Sequence, residues 1–287
     1  MRHSILSSIA LLSAIALAGC AGQSDDEAVE RAFQDVNVID ESNLNDVMLT
    51  VADPNEAVSY FTRAVQGKPD RIDLQRGLAV SLIRAKRFAE APPAWEKVMQ
   101  MPGATSEDRV NFADSLIRSG NWAKAEAMLD QVPPTHETFD RYRLEAMIAD
   151  SNKEWKKADS FYEIAIGLTT RPASVLNNWG YSKLTRGDYS EAERLFGEAI
   201  RQDPSLFTAK NNMILARGAR QDYSLPVIPM DQTERAQLLY TLALSAIKQG
   251  DVTTGKSLLR DAIDTHPQHF EAAARSLEAL ENNVSSG

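Results

Sequence analysis

The stretch ASVLNNWGYSKLTRGDYSEAERLFGEAIRQDPSL, residues 173–206, decides how the chain folds. With a helical period, Leu176, Trp179 and Gly180 share one face; Ala192, Phe196 and Ala199 share a second, and Gly187-Asp188 stands between them. The pattern predicts two amphipathic helices joined by a tight turn. Gly187 is suited to end the first helix in a left-handed conformation, and the Asp188 carboxylate to cap the second. Gly180 and Ala192 are small, so the two helix axes can approach closely, while Trp179 and Phe196 fill the space beside the contact. Pro204 ends the second helix and hands over to the next segment.

The same ladder runs along the chain. Ala57, Ala91, Ala125, Ala158 and Ala192 stand 34, 34, 33 and 34 residues apart, each followed four residues later by Phe61, Trp95, Leu129, Tyr162 or Phe196. Aromatics recur where the second helices begin, as Phe88, Trp122, Trp155, Tyr189 and Tyr223. A last copy carries Leu239, Leu242, Ala243, Gly250, Gly255, Leu259, Ala262 and Pro267. This repeat resembles the tetratricopeptide (TPR) pattern W-x2-L-G-x2-Y…A-x3-F…P, with Trp and Leu exchanged and Lys183 at the Tyr position. The fold class expected is therefore all-α, a superhelical TPR solenoid of helix hairpins.

Taken in order, residues 1–19 read as a secretory leader. Arg2 supplies the positive start, and Ile5 to Ala18 is an apolar run too short for an ordinary membrane span. The chain's single cysteine, Cys20, follows Leu17-Ala18-Gly19, which resembles a bacterial lipobox; that likeness implies an acylated, membrane-anchored Cys20. Ala21 lacks the carboxylate of an inner-membrane retention signal, so the expected location is the outer membrane, facing the periplasm. Residues 20–36 form an acidic tether and 37–71 a degenerate first repeat, in which Asp53 caps a helix that opens on Pro54. Four repeats fill 72–206, and 207–235 is an interrupted repeat in which Ser224 to Met230 replaces the second helix by an extended, proline-bearing stretch. Asp231 and Glu234 make a capping box for the next repeat, 236–269, and 270–287 is a capping helix and tail. Two departures stand out: Pro92-Pro93, which should delay or kink a helix, and Glu145, where Leu78, Phe112 and Trp179 stand in other repeats. Either Leu144 takes over that packing position or Glu145 sits at its edge.

The net charge of −9, one unit more negative without Arg2, argues against nucleic acid and against an anionic bilayer surface as partners. Gly250 to Ser257 satisfies the phosphate-loop expression G-x4-G-K-[ST], but that loop needs a strand before it, and here the preceding residues carry helical spacing. His266 and His269 flank Pro267 in a turn, and no third ligand completes a metal set. No nucleophile–base constellation is legible. The expectation is a non-enzymatic protein without cofactor, metal or small-molecule substrate.

The surface is then the place to look. In tetratricopeptide proteins the first helices line a concave groove, chiefly at repeat positions 2, 5, 9, 12 and 13. On this chain the expected groove comprises Arg76, Val80, Ile83, Val110, Ile117, Arg143, Met147, Asn177, Tyr181, Leu184, Asn211 and Leu215. Of these, Arg76, Arg143, Asn177, Tyr181 and Asn211 are the expected partner contacts, Arg143 offering a charge to a partner carboxylate. The aliphatics serve equally well as packing between repeats.

The lipobox, the acidic tether, the run Asn55-Glu-Ala-Val-Ser-Tyr-Phe-Thr-Arg-Ala-Val, the block Asn177 to Leu225 with its proline interruption, and Gln232 to Phe270 together resemble the TadD-type TPR lipoproteins of tight-adherence (Tad/Flp) pilus assembly systems. That likeness implies an outer-membrane adaptor of pilus biogenesis, similar to pilotins that assist a secretin, with proteins of the pilus apparatus as partners. Two other classes stay open: a scaffold lipoprotein for another envelope machine, and a nucleotide-binding protein using Gly250 to Ser257.

Overall fold

The computed structural model describes residues 44–282. The leader, Cys20, the tether and the tail beyond Asn282 lie outside the described residues. Among those described, fourteen helices account for all regular structure and no strand occurs. The chain divides into two compact units, one ending at Arg87 and the other beginning at Phe88.

In the first unit, α1 (44–50) precedes α2 (Pro54–Gly67) and α3 (Ile72–Arg84). Asp53 caps α2 by accepting the backbone N–H groups of Asn55 and Glu56 at 2.9 and 3.3 Å. Phe61 is fully buried beside Gly77, where a Cβ would fall 2.3 Å from its ring, so only glycine lets these two helices meet. Arg84 on α3 donates to the carbonyls of Met48 and Ala52 at 2.8 and 3.0 Å, closing the otherwise open end of α1.

The second unit holds α4 (Ala91–Gln100), α5 (Ser106–Arg118), α6 (Trp122–Leu129), α7 (Phe139–Ser151), α8 (Trp155–Gly167), α9 (Ala173–Thr185), α10 (Tyr189–Gln202), α11 (Phe207–Ala219), α12 (Gln232–Lys248), α13 (Val252–Thr265) and α14 (Glu271–Asn282). Consecutive helices pack as hairpins, α5 on α6, α7 on α8, α9 on α10 and α12 on α13. The ladder alanines Ala125, Ala158 and Ala192 are wholly buried at these contacts, and Ala91 on α4 is wholly buried as well. In the α9–α10 hairpin a Cβ on Gly180 would stand 2.7 Å from the ring of Phe196, which explains the small residue there. Asp188 caps α10 by accepting the Glu191 N–H at 3.4 Å.

The turn between paired helices needs one residue with positive φ. Gly120, Gly187 and Gly250 supply it at +82°, +85° and +89°, but Lys153 fills the equivalent place at +62°. That lysine accepts backbone strain which glycine would not feel. The proline pair has the first of its two expected effects. α4 starts at Ala91, three residues past Phe88, so Pro92 and Pro93 fall in the first turn, where no helical N–H is needed. At the other departure, Leu144 is fully buried, while Glu145 lies beside it and pairs with Arg141 at 2.8 Å.

The interrupted repeat has a consequence that the pattern alone does not show. With no helix over 224–230, α12 packs directly on α11, and Gly218 admits it: a Cβ there would lie 2.7 Å from Ser245. The 224–230 strap is held by Arg217, which donates to the Ser224 carbonyl and hydroxyl at 3.2 and 2.8 Å. Leu225 and Met230 pack on the α12–α14 core, and Ile228 on the α9–α11 core. Asp231 and Glu234 form the capping box expected of them. On α14, Glu271, Arg275 and Glu278 face solvent.

Candidate partner groove

Side chains three and four residues apart share one face of a helix. On α7 that face presents Met147, Asp150 and Ser151; on α9 it presents Asn177, Asn178, Tyr181, Ser182 and Thr185; on α11, Thr208 and Asn212. Together they line a concavity of about 550 Å³, to which Trp122 and Trp155, the residues that open α6 and α8, and the buried Tyr162 also contribute. The lining is mostly apolar. Trp122 and Tyr181 are 38% and 53% exposed, so neither serves as a core residue.

Asp150 is held by two hydroxyl donors, Ser182 Oγ at 2.6 Å and Tyr162 OH at 2.7 Å. Burial pushes its carboxyl above the ordinary range, and the two hydrogen bonds offset that only in part. Tyr162 moves the same way: burial and then the Asp150 charge push its phenol far up, so it stays a neutral donor. Beside the groove, Asp159 has the opposite balance. Burial again acts upward, but hydrogen bonds from Arg186, Trp179 and Lys183 outweigh it and leave Asp159 below the usual value. Trp179 Nε1 donates to it at 2.6 Å and Lys183 Nζ at 3.0 Å, while Arg186 also lies over the Trp155 ring at 5.3 Å.

Of the expected groove residues, Met147, Asn177 and Tyr181 line this concavity, with Asn177 Oδ1 accepting from Asn212 Nδ2 at 3.0 Å. Others of the expected set go elsewhere. Val110 and Ile117 are buried in the core. Arg143 does not line the groove, and its guanidinium donates to Asp114 and Asp140, both at 3.1 Å, so the charge meant for a partner is already neutralised within the chain. Asn211 accepts from Thr241 Oγ1 at 2.8 Å, between α11 and α12, and Leu184 packs on the α9–α11 core. Leu215 is exposed but outside the groove. Arg76, Val80 and Ile83 are half-buried in the unit that ends at Arg87.

Asp150, Ser151 and Thr185 also line the groove; they stand at repeat positions 12 and 13, which the groove rule covers. Trp122 and Trp155 line it too, and in the sequence their only signal is the recurrence of an aromatic where each second helix begins. Asn178, Ser182 and Asn212 sit one residue past the expected positions, a rotation that spacing does not reveal.

The other motifs resolve locally. Gly250 to Ser257 forms the turn after α12 and the start of α13: Gly250 is the turn, Asp251 caps α13 through the Thr254 N–H at 3.0 Å, and a Cβ on Gly255 would meet Ile247 at 2.4 Å. His266 Nδ1 lies 2.8 Å from the Gln268 carbonyl, and its ring packs on Phe270. Among the described residues no group of three or more His, Cys, Asp or Glu side chains converges, and no helix is long and apolar enough to cross a membrane.

The hairpin stack is a tetratricopeptide-repeat solenoid fold, and comparison with known proteins agrees. Sequence profiles of the tetratricopeptide repeat match residues 49–107 and 237–269. Stress-induced-phosphoprotein 1 of Caenorhabditis elegans is 25% identical over 170 residues, 58% of this chain and 52% of that protein. Among solved structures, the fold is similar to the Cut9–Hcn1 hetero-tetramer of APC/C, with TM-score 0.60, 14% identity, and coverage of 82% of this chain and 48% of that one. It is also similar to a tetratricopeptide repeat protein from Parabacteroides merdae, with TM-score 0.52, 14% identity, and coverage of 91% and 100%. The chain therefore spans about half the length of the worm protein and of the APC/C chain. At these identities the structural likenesses show the fold alone.

Proposed function

We propose that the chain is a non-catalytic adaptor that takes up an extended segment of a partner protein along α7, α9 and α11. The observation that carries this is the mostly apolar groove with polar side chains among its apolar walls. Asn178 lines it with no hydrogen-bond partner for its side chain among the described residues, and an amide offers both a donor and an acceptor to a peptide backbone. Tyr181 and Trp122 add exposed aromatic area of the kind that concentrates binding energy.

The setting we propose is the periplasmic face of a bacterial outer membrane, with the chain anchored through acylated Cys20 and serving assembly of tight-adherence pili, the outer-membrane secretin being its partner. Support comes from Leu17-Ala18-Gly19-Cys20 and from the resemblance over the proline-interrupted repeat. The test is co-purification of the pilus secretin from detergent-solubilised envelopes, with Trp122→Ala/Tyr181→Ala set against the parent at equal abundance. Recovery of the secretin should fall at least tenfold. Equal recovery from both would move the binding surface elsewhere, and no secretin with either would end the pilus reading. Cys20→Ser should lose lipid labelling and membrane retention; a variant still retained would sink the anchor.

A further inference from the structure

Asp150 is the one charged side chain among those that line the groove. Both its oxygens are met by neutral hydroxyls, Ser182 and Tyr162, and no cation stands within ion-pair distance of it among the described residues. Other carboxylates nearby are differently placed: Asp159 has Arg186 and Lys183, Asp114 has Arg118 and Arg143, and Glu145 has Arg141. The field of Arg186 reaches Asp150, but that guanidinium is hydrogen-bonded to Asp159 and lies over Trp155. A half-buried carboxylate without a counterion is costly in a folded chain, and it becomes favourable when a ligand brings the missing charge. The aromatics that share the groove, Trp122 and Tyr181, are the surfaces on which an alkyl stem lies and a cation is attracted by the ring face.

We infer that the groove seats a lysine or arginine side chain of the bound segment, with its stem against Trp122 and Tyr181 and its charge at Asp150. The partner is thus a basic segment, in keeping with the chain's net charge of −9. The upward push on the Asp150 carboxyl agrees with this, since an arriving cation relieves what burial imposes. The inference rests on the groove being a segment-binding site and adds the chemistry of its anchor.

The test uses the purified full chain in detergent and nine-residue glycine–serine peptides with one central lysine, arginine, norleucine or glutamate. Binding is followed by calorimetry and by tryptophan fluorescence. The lysine and arginine peptides should bind at least tenfold more tightly than the norleucine peptide, which is about 1.4 kcal/mol, with glutamate weakest. Asp150→Asn should reduce that preference to under threefold, with helical content retained and a melting midpoint no lower than the parent's. Equal binding of lysine and norleucine peptides, lost in Trp122→Ala/Tyr181→Ala, would overturn the cationic anchor and leave the groove reading standing. A preference that survives in Asp150→Asn would also overturn it, by placing the charge recognition elsewhere. Absence of binding by every peptide at about 1 mM would overturn both.

Discussion

Removing the Glu234 charge should unbalance one of the most deeply buried ion pairs in the structure. Lys210 on α11 has a side chain only 3% exposed, and its ammonium donates to both Glu234 oxygens at 2.9 and 2.7 Å. Glu234 is 20% exposed and does a second job, accepting the Asp231 N–H at 3.1 Å to complete the capping box of α12. Glu234→Gln keeps a side chain that can close the box but leaves the lysine charge buried without its partner. Breaking a buried pair in this way costs about 3–5 kcal/mol, and the partial exposure of Glu234 places the expectation at about 3 kcal/mol. For a unit of this size that is a fall of roughly 6–12 °C in melting midpoint. The assay is urea unfolding followed by circular dichroism at 222 nm, with slopes compared so that a change in midpoint can be assigned to stability. Lys210→Met/Glu234→Gln, which removes both charges, should regain about half the loss or more. A single variant costing less than about 1 kcal/mol, or a double variant no more stable than the single one, would refute the claim that Lys210 needs this partner.

Gly180→Ala should cost about 1–3 kcal/mol by forcing Phe196 out of its packing, seen as a lower urea midpoint. Lys153→Gly should stabilise by roughly 0.5–1 kcal/mol, because relief of the left-handed strain exceeds the added freedom of the unfolded chain; a lower midpoint would contradict the turn geometry. Lys256→Ala should stay within about 0.5 kcal/mol and retain full partner recovery, and selective loss of recovery would revive the phosphate-loop reading. The Asp150 carboxyl has a folded value above its unfolded one, so its ionisation costs stability. That cost is absent below the unfolded value and sets in as pH rises through the window between the two. Asp150→Asn should therefore gain on the parent as pH climbs through that window, and a gain that shrinks instead would reverse the sign.

The helix hairpins were legible because their determinants are local and periodic. Small residues at Gly180 and Ala192, aromatics at Trp179 and Phe196, the turn at Gly187 and the cap at Asp188 all act within one repeat, as do the Asp53 cap and the Asp231–Glu234 box. Such features show in the chain as spacing. The proline pair was legible for the same reason: a missing N–H has its effect within one turn. Groove membership was legible only in part, since Met147, Asn177 and Tyr181 stand where the repeat rule puts them.

The sequence by itself thus determined the repeat, the helix boundaries to within a few residues, and the break at Ser224 to Met230. Tertiary structure alone decided that α12 packs on α11 across that break, that Lys210 is buried, that the Arg143 charge is spent on Asp114 and Asp140, and that Asp150 meets two hydroxyls and no counterion among the described residues. Each of these depends on residues more than twenty positions apart, or on a rotation of one helix face by a single residue. Spacing sets which side chains share a face; only packing sets what that face meets.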